Sequence, residues 1–134
     1  MKKYLLDTDI CIYIIKNKPP KVLAKFKKLH RHNISISAIT LAELEYGVFK
    51  STSSEKNQIA LAKFLSFIGI LPFDTEAAFY YGEIRAHLEK KGNIIGSMDM
   101  LIAAHALAKK MTLVTNNTKE FKRVKNLKIE NWTK

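Results

Sequence analysis

Short apolar runs alternate with longer segments of helical periodicity along this chain, and no other feature constrains its fold as strongly. The apolar runs predict strands at residues 4–6, 34–36, 70–73, 112–115 and 128–129. The intervening segments predict helices at residues 10–16, 20–29, 40–47, 55–68, 75–91 and 98–109. Strands that alternate with helices are typical of a parallel sheet covered by helices on both faces. We therefore predict an α/β fold with a central, mostly parallel sheet of four to five strands.

The chain has the length and composition of one compact domain. It has 134 residues, of which 47% are hydrophobic, and its 5 Gly and 3 Pro form no linker. We therefore treat residues 1–134 as a single domain. The lone cysteine, Cys11, excludes an intramolecular disulfide and a thiolate metal site.

The N-terminal segment lacks the core of a signal peptide, because Asp7 and Asp9 interrupt its apolar run. Nowhere does the sequence reach the roughly 18 consecutive apolar residues that a membrane span needs. From these two features we expect a cytoplasmic protein with no membrane association.

The chain is strongly basic, with 23 Lys and Arg against 12 Asp and Glu and a formal net charge of +11. Such a surface attracts polyanions, of which nucleic acid is the first candidate and an anionic membrane the second. A basic protein without any polyanionic partner is the alternative that charge alone leaves open.

Several acidic residues lie in apolar segments that contain no basic residue. Residues 4–15, 33–49 and 92–108 together carry five of the 12 acids and none of the 23 bases, and they are the most apolar parts of the chain. A carboxylate in an apolar segment is costly unless its charge is compensated. Because no local Lys or Arg is available, we predict that these acids converge and share a cation.

The predicted elements bring these acids to one place. Asp7 follows the first strand, Asn117 follows the fourth, Glu43 lies in the helix after the second, and Asp99 lies in the first turn of a buried helix. In parallel sheets, ligands bind beyond the carboxyl ends of the strands. Oxygen ligands without clustered Cys or His suit a hard cation, Mg²⁺ or Mn²⁺.

Each of these acids also has a purely structural interpretation. Asp7, Thr8 or Asp9 would cap the first helix, and Asp99 is favoured at a helix start without any metal. Glu43 stands at capping-box spacing from Thr40. Three further residues are expected to have structural roles: Glu45 as a solvated or secondary residue, Cys11 as a buried hydrophobe and His105 as a packed histidine.

Five segments together resemble the PIN-domain ribonucleases and, more narrowly, the VapC-type toxins of bacterial toxin–antitoxin pairs. They are LLDTDICIYIIKNKP, SAITLAELEYG, GSMDMLIAAHALA, LVTNNTKEF and IENW. The resemblance places the acidic site on Asp7, Glu43 and Asp99, with Thr8 and Thr115 as supporting residues. It implies a three-layer α/β/α sandwich, Mg²⁺- or Mn²⁺-dependent RNA cleavage, a homodimer and inhibition by a VapB-type antitoxin. It further implies contact with operator DNA only through the antitoxin, and a structured RNA such as tRNA as substrate.

The chain departs from the family pattern at two positions. Many members have Asn where this chain has Asp9, which adds a negative charge near the site. Many have a fourth acid where this chain has Asn117, and Glu120, three residues on, is a candidate to replace it as a metal ligand. The number of metals, one or two, stays open.

Two other functions fit parts of the sequence. The pair Asp7 and Asp9 provides the nucleophile and acid of an aspartyl-phosphate hydrolase, although the later acid cluster of such an enzyme is absent. A non-catalytic, basic nucleic-acid-binding domain whose acids only cap helices is the second alternative.

Overall fold

The computed structural model describes residues 2–134, and it has a five-stranded sheet flanked by helices. The strands are β1 (Tyr4–Leu6), β2 (Ile34–Ser37), β3 (Gly69–Leu71), β4 (Thr112–Val114) and β5 (Ile129–Glu130). Their order in the sheet is β3-β2-β1-β4-β5, and every neighbouring pair is parallel. The predicted α/β class and strand number are therefore confirmed.

Seven α-helices connect these strands across residues 2–134. They are α1 (Thr8–Lys16), α2 (Pro20–Lys28), α3 (Ala38–Lys50), α4 (Ser54–Leu65), α5 (Thr75–Lys90), α6 (Ser97–Ala108) and α7 (Thr118–Phe121). A short 3-10 turn, Arg31–Asn33, precedes β2.

The central strand β1 divides the core into two halves. Tyr4 and Leu6 pack into one cluster with residues of α1 to α4, whereas Leu5 packs into the other with residues of α5, α6 and α7. Successive side chains of a strand point to opposite faces of the sheet. The three-layer sandwich follows from this alternation, and α6 contributes seven buried residues to it, as its apolar sequence predicts.

Several element boundaries differ from the prediction. Helices α1 and α3 each begin two residues earlier than predicted, because Asp7 and Ser37 act as their N-caps. Helix α3 continues through Gly47 to Lys50, and α4 ends at Leu65. Helix α6 begins at Ser97, one residue earlier than predicted, with Gly96 at its N-cap.

The helix α7 was not predicted. Its four residues are too few to show a helical period, yet it positions Glu120 beside α6. In residues 2–134 no helix is both long and apolar enough to span a membrane.

Candidate active site

Asp7 lies at the carboxyl end of β1, where the sequence places it. Its backbone N–H donates to the carbonyl of Val114 at 3.0 Å, so β1 and β4 remain paired up to this point. The Thr115 hydroxyl, one residue beyond β4, hydrogen-bonds the Asp7 carboxylate and accepts the Asn117 N–H at 2.9 Å. Asp7 and Thr115 are thus fixed together at the edge of the sheet.

Asp7 is also the N-cap of α1, since its Oδ1 accepts the N–H of Ile10 at 3.1 Å. A cap alone does not explain its surroundings, because the side chain is 6% exposed. The pKa of Asp7 is raised to about 6. Burial is the largest cause, the charges of Asp9 and Asp99 add to it, and the hydrogen bonds from Thr115 and Ile10 act against it. The capping interpretation is correct for Asp7 but leaves a buried carboxylate without compensation.

Glu43 is held by Thr8 and not by a capping box. The Thr8 hydroxyl donates to Glu43 Oε1 at 2.5 Å, which joins the first turn of α1 to α3. Ser37 caps α3 through its bond from the Ile39 N–H, and Thr40 Oγ1 is buried without a hydrogen-bond partner in residues 2–134. The interpretation of Thr40 and Glu43 as a capping box is therefore wrong.

Asp99 stands in the first turn of α6 and is half-buried. Burial is the largest cause that raises its pKa to about 6, followed by the charges of Glu120, Glu43 and Asp9. The smallest contribution to this value is a hydrogen bond between the Asp99 and Glu120 carboxyl groups, which requires a proton between the two oxygens. Three acids from three other helices, Glu120, Glu43 and Asp9, therefore act on the Asp99 carboxylate.

The remaining candidates lie around this group. Asp9 is exposed on α1, and Asn117 precedes α7 without making a side-chain cap.

Two residues for which the sequence predicts structural roles lie nearby. Glu45 accepts a hydrogen bond from Gln58 Nε2 at 3.2 Å, as expected of a secondary residue. His105 is fully buried with Nδ1 2.8 Å from Ser37 Oγ, and burial lowers its pKa, which is the predicted packed histidine.

No cation neutralises this acidic group within residues 2–134. The ion pairs that the structure contains involve Glu130, Glu89, Asp74 and Glu76, and none involves the five acids Asp7, Asp9, Glu43, Asp99 and Glu120. Of the acids predicted to converge, Asp7, Asp9, Glu43 and Asp99 act on one another here, and Glu120 of α7 joins them. The cation that they would share stays a prediction. We name Asp7, Glu43, Asp99 and Glu120 the acidic site.

The acidic site does not form a closed metal cage. Among the described residues, no three His, Cys, Asp or Glu side chains are already arranged to hold a metal ion. Mg²⁺ usually binds through only one or two carboxylates and completes its shell with water and substrate phosphates. The donor set therefore fits a partly hydrated hard cation.

Two contacts next to the site were not predicted. The Asn116 side chain donates to the hydroxyl of Tyr13 at 2.8 Å, and Ser37 joins the start of α3 to His105 of α6. Neither contact has a signal in the sequence, although the spacing of four residues places Tyr13 on the same face of α1 as Asp9.

Comparisons with known proteins agree with this architecture. The PIN-domain family model matches residues 4–127. Ribonuclease VapC2 of Rickettsia felis is 53% identical over 132 residues, which cover 98% of each chain. The tRNA(fMet)-specific endonuclease VapC of Shigella flexneri is 44% identical over 133 residues, covering 99% of this chain and 100% of that one.

A solved structure gives the same result for the fold. The crystal structure of VapBC2 from Rickettsia felis bound to a promoter DNA fragment matches with a TM-score of 0.91 at 52% identity, covering 96% of this chain and 98% of that one. A parallel sheet with acids gathered at its carboxyl edge is thus the architecture of a nuclease class. The chain belongs to the PIN-domain family and, within it, to the VapC ribonucleases.

Proposed function

We propose that this chain is a Mg²⁺- or Mn²⁺-dependent endoribonuclease toxin that a VapB-type antitoxin neutralises. The observation that carries the proposal is the acidic site itself. Its carboxylates lie at the carboxyl edge of a parallel sheet, two of them have a pKa of about 6, and no ion pair in residues 2–134 compensates them.

Asp7, Glu43 and Asp99 would hold the metal, with Glu120 as a further candidate ligand. When bound, such an ion supplies a water nucleophile at neutral pH and neutralises charge that develops on the phosphodiester. The chain itself orients the ligands. Thr115 and the Ile10 N–H fix Asp7, and Thr8 fixes Glu43. Because this chemistry needs no ribose 2′-OH nucleophile, we expect products with 5′-phosphate and 3′-hydroxyl ends.

The rest of the surface would bind the RNA backbone. A net charge of +11 on a chain whose central site is acidic leaves the positive charge outside that site. Phosphate contacts of this kind give an affinity that falls steeply with salt concentration. The relative from Shigella flexneri is named a tRNA(fMet)-specific endonuclease, and at 44% identity over nearly the whole chain it supports tRNA as the substrate class here.

The antitoxin would act at the same site. The related solved structure is a VapBC complex bound to a promoter DNA fragment, which supports a cognate VapB-type partner and DNA binding by the complex. An arginine of the antitoxin suits the acidic site because its guanidinium pairs with carboxylates in a bidentate manner and remains charged when desolvated. It would displace the metal and block the phosphate position together.

A homodimer would cover large apolar side chains that this chain exposes. Tyr46 and Phe49 on α3 are 66% and 76% exposed, and Phe79 on α5 is 67% exposed. Exposed aromatic residues are enriched at protein interfaces.

The aspartyl-phosphate hydrolase is the less favourable alternative. A phosphoryl group on Asp7 would need a nearby lysine, and among the described residues the charged groups that act on Asp7 are Asp9 and Asp99, with no lysine. Asp7 itself is buried and already accepts two hydrogen bonds.

The test is to incubate metal-free protein with total RNA, with and without added Mg²⁺ or Mn²⁺, and to sequence the new ends. We expect cleavage only with metal, at few positions, with 5′-phosphate ends, and none with Asp99→Asn. Equal cleavage in excess chelator would contradict metal dependence. RNA binding without cleavage under any metal would favour the non-catalytic domain.

A further inference from the structure

A cavity with two lysines and no acid in its lining lies against the chain segment that follows β4, next to the acidic site. Its volume is about 520 Å³, and its lining includes Ile12, Tyr13, Lys16, Lys18, Asn116 and Thr133. We name it the Tyr13 cavity. It contains two lysines and no carboxylate, which is the opposite electrostatic character to the neighbouring site.

The two sites share the chain segment that follows β4. Thr115 contacts Asp7, Asn117 donates to Thr115, and Asn116 between them donates to the Tyr13 hydroxyl at 2.8 Å. Asn116 therefore lies in the wall of the Tyr13 cavity, while the preceding residue, Thr115, contacts the acidic site.

Helix α1 also connects the acidic site to the Tyr13 cavity. Asp9, whose charge acts on Asp7 and Asp99, lies four residues before Tyr13 and seven before Lys16. This spacing puts all three on one face of the helix. Each helical turn advances about 5.4 Å. An RNA strand that runs from the acidic site along this face of α1 therefore meets first the Tyr13 ring and then Lys16.

The side chains of the cavity suit a nucleotide. Tyr13 is half-buried, and the bond from Asn116 fixes its hydroxyl, which leaves a preorganised aromatic surface on which a base can stack. Asn116 Oδ1 accepts no hydrogen bond within residues 2–134 and is available to a base edge. Lys16 and Lys18 are exposed, and neither forms an ion pair with a described residue.

We infer that the Tyr13 cavity binds one nucleotide of the RNA strand next to the phosphodiester that is cut, with its base against Tyr13 and Asn116 and its phosphates near Lys16 and Lys18. This inference rests on the proposed ribonuclease function and adds to it a subsite that selects the nucleotide beside the cut.

The first test is photo-crosslinking in excess chelator, so that binding is observed without cleavage. A single-stranded RNA of about 20 nucleotides, random in sequence and containing 4-thiouridine, is irradiated with the protein, and the crosslinked peptides are identified by mass spectrometry. We expect the crosslinks to map to the peptides that contain Tyr13 and Asn116. Crosslinks confined to other peptides overturn the inference.

The second test compares two double variants of equal charge. Lys16→Ala/Lys18→Ala removes the cations of the cavity, whereas Lys3→Ala/Lys56→Ala removes two exposed lysines outside it. We expect the first to raise the Kd for the same RNA at least tenfold more than the control does, and to reduce the salt dependence by about one phosphate contact per lysine. Equal losses in the two variants overturn the inference.

The third test is specific to selection of the nucleotide. In the presence of Mg²⁺, Asn116→Ala should change which nucleotide is preferred beside the cut, whereas a general structural defect lowers the rate at all sites alike. If the cavity instead receives the antitoxin, Lys16→Ala/Lys18→Ala will bind RNA normally and lose affinity for purified antitoxin, which overturns the assignment to RNA. Failure of metal-dependent cleavage leaves the binding and crosslinking results intact, so the two proposals fail separately.

Discussion

The Thr8 hydroxyl donates a hydrogen bond of 2.5 Å to Glu43 Oε1, and this contact joins the start of α1 to the acid-bearing face of α3. Asp7, the preceding residue, is fixed to Thr115. The start of α1 therefore holds two carboxylates in place: its own N-cap, Asp7, and Glu43 of α3, which Thr8 binds.

Thr8→Val removes this donor but keeps the β-branched shape. A hydrogen bond to a charged group contributes about 1.5–3 kcal/mol, so we expect the apparent Mg²⁺ affinity in the cleavage assay to fall at least tenfold. Thr8→Ser retains a hydroxyl and is the matched control, with a response close to wild type. A Thr8→Val protein with an unchanged Mg²⁺ titration would show that Thr8 does not orient Glu43.

The stability of the metal-free protein should decrease as pH rises through the acidic range. Asp7 and Asp99 have a pKa of about 6 in the folded state against an ordinary value of 3.8. The folded state therefore binds these protons more tightly than the unfolded chain, so their contribution is greatest below about pH 4 and is lost as pH passes 6. For buried Asp7 this amounts to about 2–3 kcal/mol, and for half-buried Asp99 to less, because solvent screens it.

Denaturant unfolding of wild type and Asp99→Asn between pH 4 and 8, both metal-free, isolates this contribution from other titrating groups. We expect the variant to become the more stable protein above pH 6. Asp7→Asn is preferable to Asp7→Ala, because the amide oxygen still accepts the Ile10 N–H, whereas loss of a cap costs about 1 kcal/mol. A stability difference that does not change with pH would contradict the assigned pKa shift of Asp99.

Glu120 shares a hydrogen bond with Asp99 and is the candidate to replace the acid missing at Asn117. If it contributes to metal binding, Glu120→Gln should weaken the metal titration at least tenfold, or about 1.4 kcal/mol. Glu55→Gln, which neutralises an exposed acid in the first turn of α4, is the control. Identical titrations of the two variants would remove Glu120 from the ligand set.

Mg²⁺ and the antitoxin should compete for the acidic site. If an antitoxin arginine lies among Asp7, Glu43 and Asp99, the apparent affinity for the antitoxin will fall as Mg²⁺ rises, beyond the effect of a monovalent salt at matched ionic strength. The measurement is a binding titration of purified antitoxin at several Mg²⁺ concentrations. Inhibition that persists after every basic residue in the toxin-binding segment of the antitoxin is replaced would exclude this mechanism.

The sequence predicts the sheet and the convergence of acids well, because both depend on patterns that are local. Asp7 directly follows an apolar run, and the absence of bases around Glu43 and Asp99 is visible without any structure. The start of α3 is less predictable, since Ser37 and Thr40 are both good caps by residue type and only packing decides between them.

Contacts between distant segments could not be predicted. The bond between Thr8 and Glu43 joins residues 35 apart, and the bond between Asn116 and Tyr13 joins residues 103 apart. Helix α7 is shorter than the window in which a helical period is visible, and so the approach of Glu120 to Asp99 had no signal beyond its spacing from Asn117.

Direct measurement of Mn²⁺ binding tests the central claim most sharply, since it does not depend on the identity of the RNA. Calorimetric titration of the metal-free protein should show binding that weakens at least tenfold in Asp7→Asn, Glu43→Gln and Asp99→Asn, while each folds as wild type does and loses cleavage. An Asp99→Asn protein that binds Mn²⁺ like wild type and cleaves RNA fully at saturating metal would contradict the acidic site as the catalytic centre.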